Sequence, residues 1–301
     1  MKGVNRAQAS WMKGERLFAT ALVAPGVIAL LVTTTAPLVY LLWTSLHAAN
    51  LSMPWVKGFV GLDHYVQMLG DGRFWDSLRL TAIYTVTTVV LQVLIGLGLA
   101  LLVLQVPHGQ WLFRLLAILP IVLAPVVVGL FWRTLMLSPS FGLFDIFTTQ
   151  VFGRSYNWLG DPTLALISVI LIHTWQWTAF AFLVLLAALA SIAPDLYEAA
   201  RIDRAGAFAR FRYITLPLIR PAIMIVIIMR AVVALSAFAA IYAATGGGPG
   251  TATQILNLYA YQTSFVALDF GYGSAQAVAL LILTLVVSAA LFRLRRPKGW
   301  T

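Results

Sequence analysis

Apolar positions along this chain gather into runs of membrane length, separated by short polar stretches. The segments that qualify are about 17–46, 77–106, 111–137, 164–190, 218–245 and 272–292. A helix rising about 1.5 Å per residue needs roughly 20 mostly apolar residues to cross the hydrocarbon of a bilayer. Backbone groups in lipid must pair inside their own segment, so each run predicts a helix. The alternating segments of about ten residues that mark a membrane barrel are missing.

Two departures interrupt the pattern. Prolines sit inside runs, Pro25 and Pro37 in the first and Pro120 and Pro125 in the third. Each removes a helical hydrogen bond and predicts a kink. Two readings fit: ordinary membrane-helix prolines, or kinks that shape a cavity. The second departure is the stretch PDLYEAARIDRAGAFARFRYITLP, 194–217, a charged, helix-prone insert between two apolar runs.

Composition agrees with the pattern. The chain is 61% hydrophobic and only 10% charged, with a mean hydropathy of +0.90. Soluble domains are about 45–50% apolar and about 25% charged. One globular core cannot hide this much apolar surface, so the bilayer is the solvent. The fold class is an all-α, polytopic membrane protein. The first run is too long for a cleavable signal and reads as a retained span. The chain contains 0 cysteines, which excludes disulfides, thiolate metal sites and cysteine nucleophiles.

Charge sets the orientation. With a cytoplasmic N-terminus, inside segments take Lys2, Arg6, Lys13, Arg16, Arg114, Arg201, Arg204, Arg210, Arg212, Arg220, Arg293, Arg295, Arg296 and Lys298. Outside segments take only Lys57, Arg73, Arg79 and Arg154. This positive-inside bias places both termini and the insert in the cytoplasm. It also accounts for the net charge of +10 without nucleic acid, which calls for a basic soluble face. The expected division is a tail over 1–16, a permeating domain over 17–293 with a loop at 191–217, and a tail over 294–301.

The insert predicts local structure. Pro194 suits a first helical position, and Asp195 and Glu198 suit the positive end of the helix dipole. The helix is expected to stop near Gly206, and a second to run from Ala207 to Ile214 with Phe208, Phe211 and Ile214 on an apolar edge. By itself this fits an interfacial hairpin whose arginines meet anionic lipid. It fits equally an element that touches something in the water phase.

The insert resembles the EAA loop of ABC importer permeases, whose pattern is E-A-A, two residues, D-G-A, then I-x-L-P. Here Glu198, Ala199, Ala200, Asp203, Ala205, Ile214, Leu216 and Pro217 stand at those spacings. GLDHYVQML from Gly61, NWLGDPTLAL from Asn157, TGGGPGTATQILNLYAYQTSF from Thr245 and GYGSAQAVAL from Gly271 resemble, in order, further motifs of the sugar-permease branch. They look like the first of its two paired, maltose-type permeases. One position departs: the family usually has glycine after the aspartate, and this chain has Arg204. Either Gly206 makes the turn, or Arg204 is held in a conformation unusual for a residue with a side chain.

The resemblance implies a type I ABC importer permease fold of six transmembrane helices in a bacterial inner membrane. It implies a second homologous permease, two ATP-binding subunits that hold ATP and magnesium, and an external solute-binding protein. No cofactor is expected in this chain. Glu198, Ala199, Ala200, Asp203, Arg204, Ala205 and Gly206 would form the coupling element toward the ATPase. The solute would be a sugar or polyol; a glycerophosphate is the alternative within the family.

Polar side chains inside spans are costly and mark candidate function. His173, Trp177 and Phe180 share one helical face, and Arg230, Ala234 and Ala237 share another. Gln176 is a further polar residue in the fourth run. The resemblance puts solute between these two spans, at His173, Gln176, Trp177, Phe180, Arg230, Val233, Ala234 and Ala237. Helix packing is the plain alternative for the aromatic face, and a bond to a span carbonyl for Arg230. Arg133 is expected to reach the outer interface.

Other chemistries lack their residues. GGGPGTAT has no G-K-[ST] ending for phosphate, and His47, His64, His108 and His173 lie on scattered segments without metal-ligand spacing. A secondary transporter usually carries acids or ion-binding clusters within the spans, and the acids here fall outside the span interiors. No catalytic residues are expected.

Overall fold

The computed structural model describes residues 4–295 apart from 54, 56 and 107, and side chains from residue 18 onward apart from 19, 57 and 295. Lys2, Arg296 and Lys298 of the charge argument lie outside the described residues, as do the side chains of Arg6, Lys13, Arg16, Lys57 and Arg295.

The chain is helical almost throughout. It starts with α1 (Val4–Ser45), a small antiparallel hairpin β1 (His47–Ala49) and β2 (Lys57–Phe59), and α2 (Asp63–Gly70). The hairpin pairs His47 with Phe59 and Ala49 with Lys57. Then come α3 (Gly72–Gln105), α4 (Gln110–Val122), α5 (Pro125–Phe131) with a wide π turn over Trp132–Met136, α6 (Leu143–Phe152) and α7 (Pro162–Ala190). The insert holds α8 (Pro194–Ile202) and α9 (Ala207–Arg210). A second π turn, Phe211–Thr215, leads into α10 (Leu216–Leu235), followed by α11 (Ala239–Thr245), α12 (Leu256–Tyr261), a third π turn and α13 (Phe270–Arg295).

Among the described residues 5 helices are long and apolar enough to cross a membrane, or 6 when α4 and α5 count as one span bent by 99°. The sequence places the bend. Pro120 lies inside α4 and Pro125 opens α5, with Leu123 and Ala124 extended between them. The 218–245 run is also divided. α10 stops at Leu235, and Phe238 stands in a non-helical conformation before α11.

Broken helices free carbonyls that lipid cannot satisfy. Two side-chain amides take them up. Gln176 donates Nε2–H to the Leu123 carbonyl at 3.0 Å. Asn257 donates from Nδ2 to Ser236 and Ala237 carbonyls at 3.1 and 3.3 Å. Irregular backbone therefore survives at depth because named side chains complete its hydrogen bonding.

The core is built on α3, α7 and α10. α3 and α7 form the most extensive helix pair. They meet at Gly96, where an added Cβ would stand 2.8 Å from Ala181 Cβ and 2.9 Å from the Phe182 amide nitrogen. One cluster joins Tyr84, Val89, Val169, Ile170, Ala231 and Ala234. A second joins Ala100, Ala181, Phe182, Leu185, Ile219 and Val226. α1 leans on α13 and otherwise exposes its apolar side chains, as a lipid-facing rod does.

Candidate functional site

Two regions collect the polar residues that the apolar pattern does not explain. The first is the insert. Pro194 occupies a first-turn position of α8, Asp195 lies in the first turn and Arg201 in the last, so the helix dipole is complemented at both ends. Glu198 and Ala199 are exposed, whereas Ala200 is buried at 8% exposure. Ala200 thus packs on the chain itself, and Glu198 and Ala199 form the outward face.

α8 ends at Ile202, earlier than the expected stop near Gly206. Arg204 adopts φ 53°. Its N–H reaches the Arg201 carbonyl at 3.0 Å, and the Ala205 N–H reaches Ala200 at 2.9 Å. Those two bonds are a Schellman closure with Arg204 in the left-handed position. Gly206 is extended, at φ −64° and ψ 166°. Arg204 therefore makes the turn, in the place where the family usually has glycine, and Gly206 does not.

The expected second helix over 207–214 is not a separate element. α9 runs through the π turn into α10 as one rod, Ala207–Leu235. Pro217 is the physical reason: it has no N–H, and its ring collides with the carbonyl four residues back in a regular α-helix. The wide turn absorbs this, with the Leu216 N–H bonded to the Phe211 carbonyl. α8 is then tied to this rod where the Tyr197 hydroxyl meets Thr215 Oγ1 at 2.9 Å. Beside it Ile202, Phe208 and Tyr213 are 83%, 79% and 76% exposed.

The second region lies between α3, α7 and α10. Arg230, 2% exposed, donates Nε–H to Gln92 Oε1 at 2.8 Å. Its Nη2 lies 3.2 Å from His173 Nε2. A guanidinium only donates, so His173 Nε2 accepts and carries no proton. The guanidinium carbon stands 4.3 Å from the Trp177 ring centroid, a cation–π distance. Gln92 also donates to the His173 carbonyl at 3.3 Å, and Tyr84 meets the His173 ring edge-on at 5.3 Å.

The structure brings His173, Trp177 and Arg230 into one cluster. Phe180, Val233 and Ala237 are half-buried and Ala234 is fully buried. Gln176 stands apart, at the α4–α5 break. Arg230 pairs with side chains of two other helices and not with a span carbonyl. Arg133 points its Nη1 to the Ala243 carbonyl, 3.4 Å away. Gln92 and Tyr84 were passed over in the sequence, yet a glutamine inside the 77–106 run was a signal of the same kind as His173. The GGGPGTAT stretch is a packed turn, with Thr253 Oγ1 donating to the Gly248 carbonyl at 2.9 Å and Gln262 Nε2 to Gly246 at 2.9 Å.

A conserved-domain model described as "Binding-protein-dependent transport system inner membrane component" matches residues 92–297. The chain belongs to this family. The sulfoquinovosyl glycerol transport system permease protein SmoG of Agrobacterium fabrum is 35% identical, over 95% of this chain and 92% of its own length. The trehalose/maltose transport system permease protein MalF of Thermococcus litoralis is 35% identical, over 91% of each. The sn-glycerol-3-phosphate transport system permease protein UgpA of Escherichia coli O157:H7 is 34% identical, over 90% of this chain and 92% of its own.

The fold matches a chain of a bacterial ABC transporter involved in the import of the acidic polysaccharide alginate, with a TM-score of 0.78, 21% identity, and coverage of 97% of this chain and 99% of that one. The permease therefore has the type I ABC importer fold expected from its motifs. It is an inner-membrane transport component of a binding-protein-dependent system and not an enzyme. Family membership decides against the secondary-transporter reading.

Proposed function

We propose that this permease carries a carbohydrate or related polyol inward, receiving it from the external binding protein and drawing on ATP through α8. The observation that carries the reading is α8 itself: a short charged helix with Glu198 and Ala199 outward, closed at Arg204 and tied to α10 through Tyr197 and Thr215. A rigid link of that kind lets closure of the ATPases bias the spans between two states. Asp203, Ala205 and Gly206 complete the loop, and Ala200 seats it. The partners are a second homologous permease and two ATPases, which hold ATP and magnesium; this chain holds no cofactor. Both termini and the 191–217 loop lie in the cytoplasm, with 17–293 as the transport domain and 1–16 and 294–301 as tails.

The solute passes between α7 and α10. Trp177 and Phe180 offer ring faces that suit the C–H faces of a sugar, and Val233, Ala234 and Ala237 keep the opposite side narrow. His173 and Arg230 form the polar backing behind the Trp177 ring, and Gln176 is held at the α4–α5 break instead. Relatives named for a sulfoquinovosyl glycoside and for trehalose/maltose favour a sugar. A glycerophosphate is the second reading, favoured by the buried Arg230 cation and the relative named for sn-glycerol 3-phosphate. ATP-driven uptake of radiolabelled maltose, trehalose and sn-glycerol 3-phosphate by the reconstituted complex decides. Saturable uptake of a sugar, weakened by Trp177→Ala, is the expected result. Uptake of the phosphate alone overturns the sugar reading.

A further inference from the structure

Trp177 is the one member of the buried cluster with a half-exposed ring, and its orientation is set from behind. The indole rests on the Arg230 guanidinium at 4.3 Å. The guanidinium cannot turn, because Gln92 on α3 holds Nε at 2.8 Å and His173 on α7 holds Nη2 at 3.2 Å. Gln92 is fully buried and is itself held by the His173 carbonyl at 3.3 Å. Both hydrogen-bond partners of the cation are uncharged. A buried cation held this way is costly in desolvation, and plain apolar packing would hold three helices together without that cost.

We propose that Gln92 and Arg230 are positioning residues that fix the Trp177 indole as the platform on which the solute's ring stacks. The inference rests on the reading that Trp177 lines the solute path. The guanidinium carbon lies over the indole at 4.3 Å while Nε and Nη2 reach Gln92 and His173. Lysine keeps the charge but has neither the face nor the fork. Gln92 is the hinge of the arrangement, since it bonds both to the cation and to the backbone of the helix that carries Trp177. It acts on the solute only through these neighbours and does not touch it.

The test is ATP-driven uptake by the reconstituted complex, using whichever of radiolabelled maltose or trehalose the wild type takes up; uptake of neither removes the sugar path and the inference together. Gln92→Leu alone strands a buried cation, so the decisive variant is Gln92→Met with Arg230→Met, which removes the clamp and leaves no buried charge. It is expected to assemble with the ATPases and to raise KM by about tenfold, with a smaller fall in Vmax. Adding Trp177→Ala to it should raise KM no further, because all three changes act through one ring. Arg230→Lys should behave like the double variant. Wild-type KM in the double variant, with a raised KM in Trp177→Ala, overturns the positioning role and leaves the solute path intact. Wild-type KM in Trp177→Ala removes the path and the inference together. A double variant that fails to assemble makes the clamp a folding element and also overturns it.

Discussion

Arg204 stands at φ 53° in the turn after α8, while Gly206 two residues later is extended at φ −64°. The residue free to take any conformation is not the one that makes the turn. A left-handed non-glycine residue costs about 1–2 kcal/mol, partly offset because glycine loses more entropy on folding. Arg204→Gly should therefore stabilise the loop by about 0.5 kcal/mol. Gly206→Ala should change stability by less than about 0.5 kcal/mol, since nothing lies within 4 Å of the added Cβ. Thermal unfolding of the purified complex measures both. A large loss from Gly206→Ala contradicts this assignment of the turn.

The close approach of α3 and α7 gives a second expectation. A side chain at Gly96 meets Ala181 Cβ at 2.8 Å and backbone of Phe182 at 2.9 Å, and neither can withdraw without parting the helices. Gly96→Val should destabilise by about 1–3 kcal/mol. Gly98→Ala, two residues on with open space around it, is the control and should be close to neutral. Denaturation midpoints of the two variants make the comparison.

Asn257 answers for two carbonyls at the α10–α11 break. Asn257→Leu keeps the approximate volume and leaves both without that donor. The Ala237 carbonyl is part-buried and the Ser236 carbonyl is not, so the variant should lose about 1 kcal/mol of stability, the low end for stranding a polar group. An unchanged melting temperature contradicts the role given to this amide.

Asp71, between α2 and α3, predicts a pH dependence. Burial alone raises its carboxyl, but hydrogen bonds from the Tyr259 and Tyr272 hydroxyls and the Arg73 and Phe74 amides outweigh it and hold the pKa below its ordinary value. The two hydroxyls donate to Oδ2 at 2.6 Å each. A lowered native pKa means that the unfolded chain takes up the proton first as pH falls. The contribution is whole above about pH 4, the ordinary aspartate value, and is lost as pH drops through the native value. Melting temperature against pH should fall below that point, and Asp71→Asn should lower the plateau and flatten the fall. An identical pH profile in the variant contradicts the assignment.

How much of this was legible in the sequence differs by element. Span existence was legible because lipid allows few backbone solutions: 164–190 falls within α7, and 77–106 lies in α3 but for its last residue. The insert's start at Pro194 was legible from its chemistry. Its end was not, because glycine is the usual left-handed residue and the hydrogen bonds around Arg204 become visible only with the backbone. Proline spacing announced a kink near Pro120 and Pro125, but a 99° bend depends on Gln176 meeting the Leu123 carbonyl from another helix. Arg230 and His173 drew notice as polar residues in apolar runs. Gln92 did not, and its bond to Arg230 joins residues 138 positions apart, a pairing no local pattern encodes.

The central claim is that α8 couples this permease to ATP. Glu198 and Ala199 face outward on it, so Glu198→Lys and Ala199→Trp alter that face without disturbing the buried Ala200. The direct measurement is solute uptake and ATP hydrolysis recorded together in vesicles holding the complete importer. Both variants should insert and assemble, lose at least about 90% of uptake, as the removal of about 1.4 kcal/mol of coupling entails, and leave ATP hydrolysis no longer tied to solute. Wild-type uptake per ATP hydrolysed in both variants contradicts the account.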